Sequence, residues 1–304
     1  MFRSRRACLY DLSESSNFED DAKQVIPLLT IMNTVDSKET VAIVVPIYRS
    51  NMTSDEEISF QRLFRFLRGY EIYGVVPQRL DVRHAGLGIR KFDDKFFSNT
   101  ASYSRLLLSR EFYEAFSDYE YVLIYQLDCL VFSDRLTQWC DKGFDYIGAP
   151  WFKSRTDPEK GFSRVGNGGF SLRKVQSFLK VIDSTRYLEE PVSYWEDLCL
   201  RRFSDIQDLA MPQKVIKKLR ILRDLRRGVR WYMSEYTLNE DRFWSDRATL
   251  FCPDFKIAPI DVGLEFSFER FPKYCFEQNK HTLPFGCHAW TKYDQTFWES
   301  HLFR

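Results

Sequence analysis

The sequence predicts an α/β protein built on a mostly parallel, doubly wound central sheet flanked by helices. The first observation is VAIVVPIY, residues 41–48, a short β-branched apolar run typical of a strand buried on both faces. The second is the alternation of apolar runs with amphipathic segments up to residue 125. Ligands bind such sheets at the carboxyl ends of the strands, so we expect functional residues directly after strands.

The helix after the first strand is predicted by its end signals. Ser54 is a suitable N-cap, acids follow it in the first turn, and Gly69 lies near the end. The patterns that follow predict three more elements, which are a strand at 71–80, a helix at 99–119 and a strand at 121–125. These segments supply the first half of the sheet.

The second half of the chain continues the α/β pattern less regularly. Residues 144–151, FDYIGAPW, form another apolar segment. Residues 165–182 predict a glycine turn that leads directly into a helix. Residues 254–260, DFKIAPI, predict a further strand.

We predict an N-terminal extension at residues 1–40 and one domain at residues 41–304, with a helical insertion at about 186–238. Within the insertion, residues 214–230 carry eight basic residues and one acid, with apolar residues at roughly helical spacing. This segment is either a solvated helix that packs an apolar stripe on the core, or a helix that contacts anionic lipid headgroups or an anionic acceptor. No nucleic-acid motif accompanies it, which argues against nucleic acid.

Composition excludes several classes of protein. The chain is 44% hydrophobic and 29% charged, which is ordinary for a soluble globular protein. Its net charge of +1 gives no overall attraction to nucleic acid or membrane, and no apolar run approaches the length of a membrane span. The seven cysteines form no C-x-x-C pair, so we expect reduced thiols in a cytoplasmic protein and no structural zinc.

One acid interrupts the apolar run YVLIYQLDCLVF, residues 121–132. Asp128 follows the predicted strand closely, and an unpaired buried carboxylate is costly. Asp128 is therefore either a turn residue that meets water or a residue that meets a cation. A carboxylate at a strand end can hold a divalent ion that bridges two phosphates.

Two further motifs allow both a structural and a functional interpretation. Residues 166–169, GNGG, predict either a tight loop or a close approach of the backbone to a ligand, with Ser171 and a following helix offering free N–H groups. Glu240–Asp241 fit the first turn of a helix capped by Asn239, or a general base at a helix N-terminus. Glu196–Asp197 compete for the same catalytic role.

The order of these motifs resembles the layout of GT-A glycosyltransferases. A strand ending in x-x-D is followed by a glycine loop, an E-D pair on a helix and a late histidine, His288. By itself His288 fits an aromatic packing residue as well as a metal ligand. More closely, FDYIGAPW, VGNGGFSLR, NEDRFW, LEFSFE and PFGCHAW look like a bacterial branch of GT-A-like proteins, over about residues 41–292. The resemblance implies a GT-A, Rossmann-like fold.

The resemblance also implies roles for individual residues. Asp128 matches the second acid of the D-x-D motif and His288 matches the C-terminal histidine, so both would bind a divalent cation, Mn²⁺ or Mg²⁺. Asp241 matches the catalytic base of inverting members, with Asp197 as the second candidate. The implied donor-binding residues are Pro46, Tyr48, Arg49, Asn99, Arg105, Gln126, Asp128, Gly168 and Gly169.

The implied function is transfer of a hexosyl or related sugar from a nucleotide-diphosphate donor to a hydroxyl of a glycan or lipid-linked glycan. The implied setting is biosynthesis of a surface polysaccharide (LPS, O-antigen or capsule), in the cytoplasm, with contact to the inner membrane through residues 214–230 and no nucleic acid. Gln126 departs from the family, because it stands where an acid is expected and so weakens the cation site. Transfer without metal would require Arg or Lys to stabilise the leaving diphosphate. The alternative function is a catalytically degenerate member that binds a glycan or a partner.

Overall fold

The computed structural model describes residues 39–186, 210–213, 216 and 229–302. Within these ranges a six-stranded sheet has the strand order β3-β2-β1-β4-β9-β6. Its strands are β1 Glu39–Pro46, β2 Glu71–Pro77, β3 Gly88–Phe92, β4 Tyr119–Tyr125, β6 Tyr146–Ile147 and β9 Phe170–Lys174. Strands β3, β2, β1 and β4 are parallel neighbours, whereas β9 runs antiparallel to both β4 and β6.

The helices lie on both faces of this sheet. In chain order they are α1 Ser54–Leu67, α2 Thr100–Leu107, α3 Arg110–Glu114, α4 Leu136–Asp141, α5 Val175–Ile182, α6 Val229–Ser234, α7 Glu240–Asp246, α8 Ala248–Phe251, α9 Ile260–Phe266, α10 Pro272–Gln278 and α11 Gln295–Leu302. Short 3₁₀ helices occur at Asp94–Phe97 and Pro158–Lys160. Alternate residues of β1 enter two separate cores: Val44 packs with α2, α3, α5 and α7, and Ile43 packs with α1 and α4.

Two small sheets complete the fold. Strands β10 Ser267–Phe268, β11 Gly286–Cys287 and β5 Leu130–Val131 form one of them, in which β11 is parallel to β10 and antiparallel to β5. Strands β7 Pro150–Phe152 and β8 Phe162–Val165 form an antiparallel pair. The first of these sheets therefore joins the middle of the chain to its last part.

The predicted α/β class, with a mostly parallel sheet flanked by helices, is confirmed. The strands predicted at 41–48, 71–80 and 121–125 are present as β1, β2 and β4. The first helix begins at Ser54, but its N-cap is Thr53, which forms a capping box with Glu56.

Four details of the sequence interpretation were wrong or incomplete. The helix predicted at 99–119 is two helices, because Ser109 caps α3 by accepting a hydrogen bond from the Phe112 N–H. Residues 170–174 form strand β9 before the helix starts, so Ser171 lies in a strand rather than at a helix start. Residues 254–260 form only an isolated bridge between Ile257 and Tyr146, and strand β3 was not predicted.

Among the residues that the structure describes, no helix is long and apolar enough to cross a membrane. Most of the basic segment 214–230 lies outside the described residues, as does the N-terminal extension before Glu39.

Candidate functional site

A cavity of about 450 Å³ opens at the carboxyl ends of β1 and β4, the edge at which parallel sheets bind ligands. Its lining includes six residues predicted to bind the donor, which are Pro46, Tyr48, Arg49, Asn99, Gln126 and Asp128. Because β1 and β4 are parallel neighbours, the loops that follow them meet at the same edge. Arg105 does not line the cavity, since it is exposed on α2, so the structure gives no support to its predicted place.

The outer wall of this cavity carries an exposed aromatic ring. Pro46 ends β1, and Tyr48 follows it with 54% of its surface exposed. The Arg49 guanidinium lies 5.4 Å from the Tyr48 ring centroid and pairs with Glu56 at 2.7 Å. An exposed ring at a cavity mouth is suited to stacking on a base or a sugar.

The opposite side of the cavity is formed by the start of α2. The Asn99 side chain caps this helix, and its Oδ1 accepts a hydrogen bond of 2.9 Å from the Ser102 N–H. Tyr103 also lines the cavity, although the sequence did not single it out, and burial raises the pKa of its hydroxyl. Asn99 therefore has a structural role in addition to its place in the lining.

Asp128 and His288 converge although 160 residues separate them in the chain. His288 directly follows β11, which pairs with β5 just after Asp128. The Trp290 N–H donates a hydrogen bond of 3.1 Å to the Asp128 carbonyl, which fixes the two segments side by side. As a result, His288 Nε2 lies 3.4 Å from Asp128 Oδ1.

The His288 ring is flanked by a second carboxylate that the sequence did not reveal. Glu269 directly follows β10, the parallel neighbour of β11, and its Oε1 lies 3.5 Å from His288 Nδ1. Burial lowers the pKa of His288, but the charges and hydrogen bonds of Asp128 and Glu269 outweigh it and raise the pKa to about 10. The histidine is therefore held as a cation when nothing else occupies the site.

The pKa values of the two carboxylates beside His288, Asp128 and Glu269, shift in the opposite direction from that of the histidine. Burial raises the pKa of Asp128, but the charge of His288, and more weakly that of Lys292, holds it below its usual value. Burial also raises the pKa of Glu269, but its hydrogen bond and charge interaction with His288, together with the charges of Arg270 and Lys292, hold it below its usual value. Both acids are ionised at neutral pH, and Lys292 is a nearby cation that the sequence interpretation missed.

The glycine loop is fitted closely around this histidine. Asn167 has a φ of 80° and turns its Oδ1 to accept hydrogen bonds from the Gly169 and Phe170 N–H groups. Its amide nitrogen then faces His288 Nδ1 at 3.1 Å. The N–H groups of Gly169 and Phe170 are thus bonded within the loop and its continuation.

The residues around Asp128 fit a divalent cation. Asp128 Oδ1 is buried with His288 Nε2 as its neighbour at 3.4 Å, and Gln126 Oε1 lies 3.2 Å from the same nitrogen. A carboxylate oxygen, an amide oxygen and an imidazole nitrogen are ligands that Mg²⁺ or Mn²⁺ accepts, with further positions left for a diphosphate. No group of three or more His, Cys, Asp or Glu in the described ranges could hold a metal by itself. A cation held by Asp128 and His288 would therefore need Gln126 or a bound ligand to complete its coordination.

Glu240 is a structural residue. It is buried and pairs in a bidentate manner with Arg173 of β9, at 2.9 Å and 3.0 Å. Arg173 Nη1 also contacts the Tyr113 hydroxyl at 3.1 Å. A Cβ on Gly168 would lie 2.3 Å from Glu240 Oε1, so the missing side chain at Gly168 leaves room for this pair.

Asp241 faces a second cavity of about 230 Å³. It lies in the first turn of α7, where its Oδ1 accepts a hydrogen bond of 2.8 Å from the Arg242 N–H, while the Asn239 side chain makes no capping bond. Burial and the Glu240 charge raise the pKa of Asp241 to about 7. A carboxylate with this pKa can take a proton from a hydroxyl near neutral pH. Asp197, the second candidate base, lies outside the described residues.

The two cavities share no lining residue, and the wall between them includes functional groups. Glu269 lines the second cavity and contacts His288, which in turn contacts Asp128 in the lining of the first. The glycine loop joins the same wall, because a Cβ on Gly169 would lie 2.1 Å from His288 Nε2. The arrangement offers one compartment for a ligand bound by Asp128 and another for a group that Asp241 could deprotonate.

Solved structures similar to this chain include the apo form of the glycosyltransferase GlyE from Streptococcus pneumoniae TIGR4. The match has 13% identity and a TM-score of 0.39, and covers 87% of this chain and 60% of that chain. Mouse xyloside xylosyltransferase 1, also in its apo form, matches with 10% identity and a TM-score of 0.43, over 82% of this chain and 97% of that one. This chain thus spans 60% of the length of GlyE.

Curated protein sequences give no match to this chain. A family model does match: the model described as "Protein of unknown function (DUF5672)" covers residues 86–288, a range that includes Asp128, Asp241 and His288. The match takes in most of the chain, and the chain therefore belongs to the DUF5672 family.

Proposed function

We propose that this protein transfers a glycosyl group from a nucleotide-diphosphate sugar to an acceptor hydroxyl. The observation that carries the proposal is the pairing of Asp128 with His288 beside a cavity at the carboxyl ends of β1 and β4. A cavity of about 450 Å³ falls in the range of small-molecule sites. Tyr48 at the mouth of the cavity suits the base of a nucleoside diphosphate, and the Asp128–His288 pair at its charged end suits the diphosphate with its cation.

In this proposal the nucleotide lies in the first cavity. The Tyr48 ring stacks on the base, and Arg49 and Asn99 supply polar contacts from the two sides of the cavity. Asp128 and His288, with the Gln126 amide oxygen, would hold a divalent cation, which supplies Lewis-acid stabilisation of charge on the diphosphate. Lys292 adds a positive charge near the same carboxylates.

The transfer step uses the second cavity. The acceptor hydroxyl attacks the anomeric carbon, its proton passes to the Asp241 carboxylate, and a new bond forms between the anomeric carbon and the acceptor oxygen. The bond from the anomeric carbon to the diphosphate oxygen breaks, and the nucleoside diphosphate leaves with the electron pair. Asp241 as base on the face opposite the leaving group gives inversion of the anomeric centre.

The biological setting forms part of the proposal. We place the protein in a bacterial branch of GT-A-like glycosyltransferases that act in the cytoplasm on surface polysaccharides (LPS, O-antigen or capsule). The acceptor would be a glycan or a lipid-linked glycan, and residues 214–230 would contact the inner membrane. A donor sugar of the hexosyl class follows from the same resemblance.

The proposal is tested with the purified full chain and a panel of UDP-, GDP-, ADP- and dTDP-sugars, each with and without Mn²⁺ or Mg²⁺. We expect hydrolysis or transfer with at least one donor, and tighter binding of the matching nucleoside diphosphate when the cation is present. Asp128→Asn should weaken that binding at least tenfold, because it removes a charge-assisted contact. Absence of binding and turnover with every donor would contradict the proposal.

A second function is favoured by two observations. Gln126 replaces an expected acid, and the His288 ring is already engaged by the carboxylates of Asp128 and Glu269. Both are consistent with a degenerate member that binds a glycan or a partner without chemistry. Asp241→Ala separates the two functions. In an enzyme the variant would lose turnover and keep donor binding. In a binding protein the wild type would show no turnover, and the variant would bind as the wild type does.

A further inference from the structure

The cavity that contains Asp241 is strongly basic for its size. Four arginines and two carboxylates line it, and these are Arg155, Arg164, Arg242, Arg270, Asp241 and Glu269. Glu269 also contacts His288, whose Nδ1 lies 3.5 Å from its Oε1. The cavity therefore keeps a positive surplus even when Asp241 is ionised, and an anion placed there would be stabilised.

The exposed Arg242 side chain is held at this cavity by an aromatic ring rather than by a carboxylate. The guanidinium groups of Arg164 and Arg242 lie 5.6 Å and 5.7 Å from the Trp151 ring centroid. Arg164 also pairs with Asp246 at 2.8 Å. Arg242 has no carboxylate partner among the residues that the structure describes. A cation–π contact orients a guanidinium and leaves its N–H donors available, so Arg242 is prepared to bind an oxyanion.

Arg242 carries its charge next to the candidate base in the chain. It directly follows Asp241, and its backbone N–H donates to the Asp241 carboxylate at 2.8 Å. Both side chains line the same cavity, so a ligand anion bound by Arg242 would share that cavity with the group that Asp241 acts on. Arg242 is not among the residues that line the first cavity, where the donor diphosphate is proposed to bind.

We propose that the second cavity selects an acceptor sugar that bears a carboxylate or a phosphate near the reacting hydroxyl, and that Arg242 is its main binding partner. This inference rests on the proposed transfer function and adds the chemical class of the acceptor to it. A neutral sugar would leave the arginine donors without a charged partner, whereas a bidentate guanidinium–oxyanion contact is among the strongest polar interactions available to a protein.

The test uses three probes that differ only at carbon 6: methyl β-D-glucuronide, methyl β-D-glucoside 6-phosphate and neutral methyl β-D-glucoside. Their binding to the full chain is measured by titration calorimetry or by ligand-observed NMR, without a donor. We expect at least one charged probe to bind about tenfold or more tightly than the neutral one, with affinity that falls as salt is added. The stronger of the two charged probes identifies the anion as carboxylate or phosphate.

Arg242→Gln should reduce binding of the charged probe about tenfold and leave the neutral probe unchanged. Arg83→Gln is the matched control, because Arg83 is exposed and lines neither cavity. Circular dichroism and thermal melting establish that both variants are folded. Equal or absent binding of charged and neutral probes, or an unchanged affinity in a folded Arg242→Gln variant, would overturn the inference.

The two proposals can fail separately. Nucleoside diphosphate binding, measured on its own and with Asp128→Asn, reports on the first cavity. If that binding is absent while the charged sugar still binds through Arg242, the transfer function fails and the anion site stands. If a nucleoside diphosphate displaces the charged sugar from the Arg242 site, the second cavity binds donor rather than acceptor and the inference is wrong.

Discussion

The His288 ring fills the position that a side chain at Gly169 would need: a Cβ on Gly169 would lie 2.1 Å from His288 Nε2 and 2.4 Å from its Cδ2. The absence of a side chain at Gly169 is therefore what allows the imidazole to reach Asp128. Gly169 has no positive φ, so the requirement for glycine comes from this contact and not from the backbone conformation.

Gly169→Ala should displace the His288 ring and separate it from Asp128. We expect the cation-dependent part of nucleotide binding to fall at least tenfold, because one ligand is withdrawn. Titration calorimetry with a nucleoside diphosphate, with and without Mn²⁺, measures this loss. Gly69→Ala is the control, since nothing lies within 4 Å of its Cβ position. Unchanged cation dependence in the alanine variant at residue 169 would show that His288 is not a ligand.

Gln126→Asp should strengthen the cation site. The new carboxylate would stand near His288 Nε2, where the Gln126 Oε1 atom now lies at 3.2 Å, and would add a negative charge to that of Asp128. We expect Mn²⁺ affinity, measured by electron paramagnetic resonance, to rise about tenfold. Gln126→Asn, which shortens the side chain without adding charge, should produce no such gain. Equal Mn²⁺ affinities for the two variants would contradict the assignment of this position.

Asp241 should set the pH dependence of the reaction. With a pKa of about 7 it is the ionised base only at higher pH, so the rate should increase as pH rises through about 7. Asp241→Asn should reduce turnover by roughly 10²–10⁴-fold and abolish this limb of the profile. A flat profile between pH 5 and 8 in the wild-type chain would exclude Asp241 as the base.

The same raised pKa has a consequence for stability. The folded chain keeps the Asp241 proton between the ordinary value of 3.8 and about 7, whereas the unfolded chain releases it. Folding therefore binds a proton in this window, and the free energy of unfolding should fall as pH rises through it. Asp241→Asn should remove this fall and melt higher than the wild type at pH 8. Asp254→Asn, at an exposed acid, is the control.

The buried pair of Arg173 and Glu240 predicts a strong effect on folding. Arg173→Met would leave the Glu240 charge buried without its partner, because both side chains are almost fully enclosed. We expect a loss of about 3–5 kcal/mol in the free energy of unfolding, measured by urea denaturation. The double variant Arg173→Met with Glu240→Gln should recover part of this loss. A single variant that unfolds like the wild type would show that the pair is not essential.

The parallel part of the sheet could be predicted from the sequence because its signals are local. Strands β1, β2 and β4 are apolar runs buried on both faces, and α1 has clear end signals. Strand β9 could not be found in this way, because its sequence FSLRK continues without a break into α5. Its strand conformation depends on pairing with β4 and β6, which are distant in the chain.

Only part of the candidate site could be predicted, because local sequence patterns reveal some of its residues and not others. Asp128 and Asp241 stand out by their positions in apolar and helical patterns, and the order of the motifs connected them to His288. Glu269 gave no such signal, because it lies beside His288 only through the pairing of the two-residue strands β10 and β11. Arg242 was overlooked as part of the motif around Asp241, although its cation–π contact with Trp151 gives it a distinct place.

The reversed direction of β9 determines which end of that strand meets the ligand edge. A parallel strand would present its last residues there, and Arg173 and Lys174 would stand at the cavity. Because β9 enters from this edge, its first residues and the loop before it lie there instead, while Arg173 lies within the strand on the buried side. The orientation of this single strand thus places the two glycines at the ligand edge, while the Arg173 guanidinium reaches back behind them to Glu240 and the Gly168 carbonyl. Substitutions in the loop before β9 would change the ligand edge while the pairing register of β9 behind it is kept.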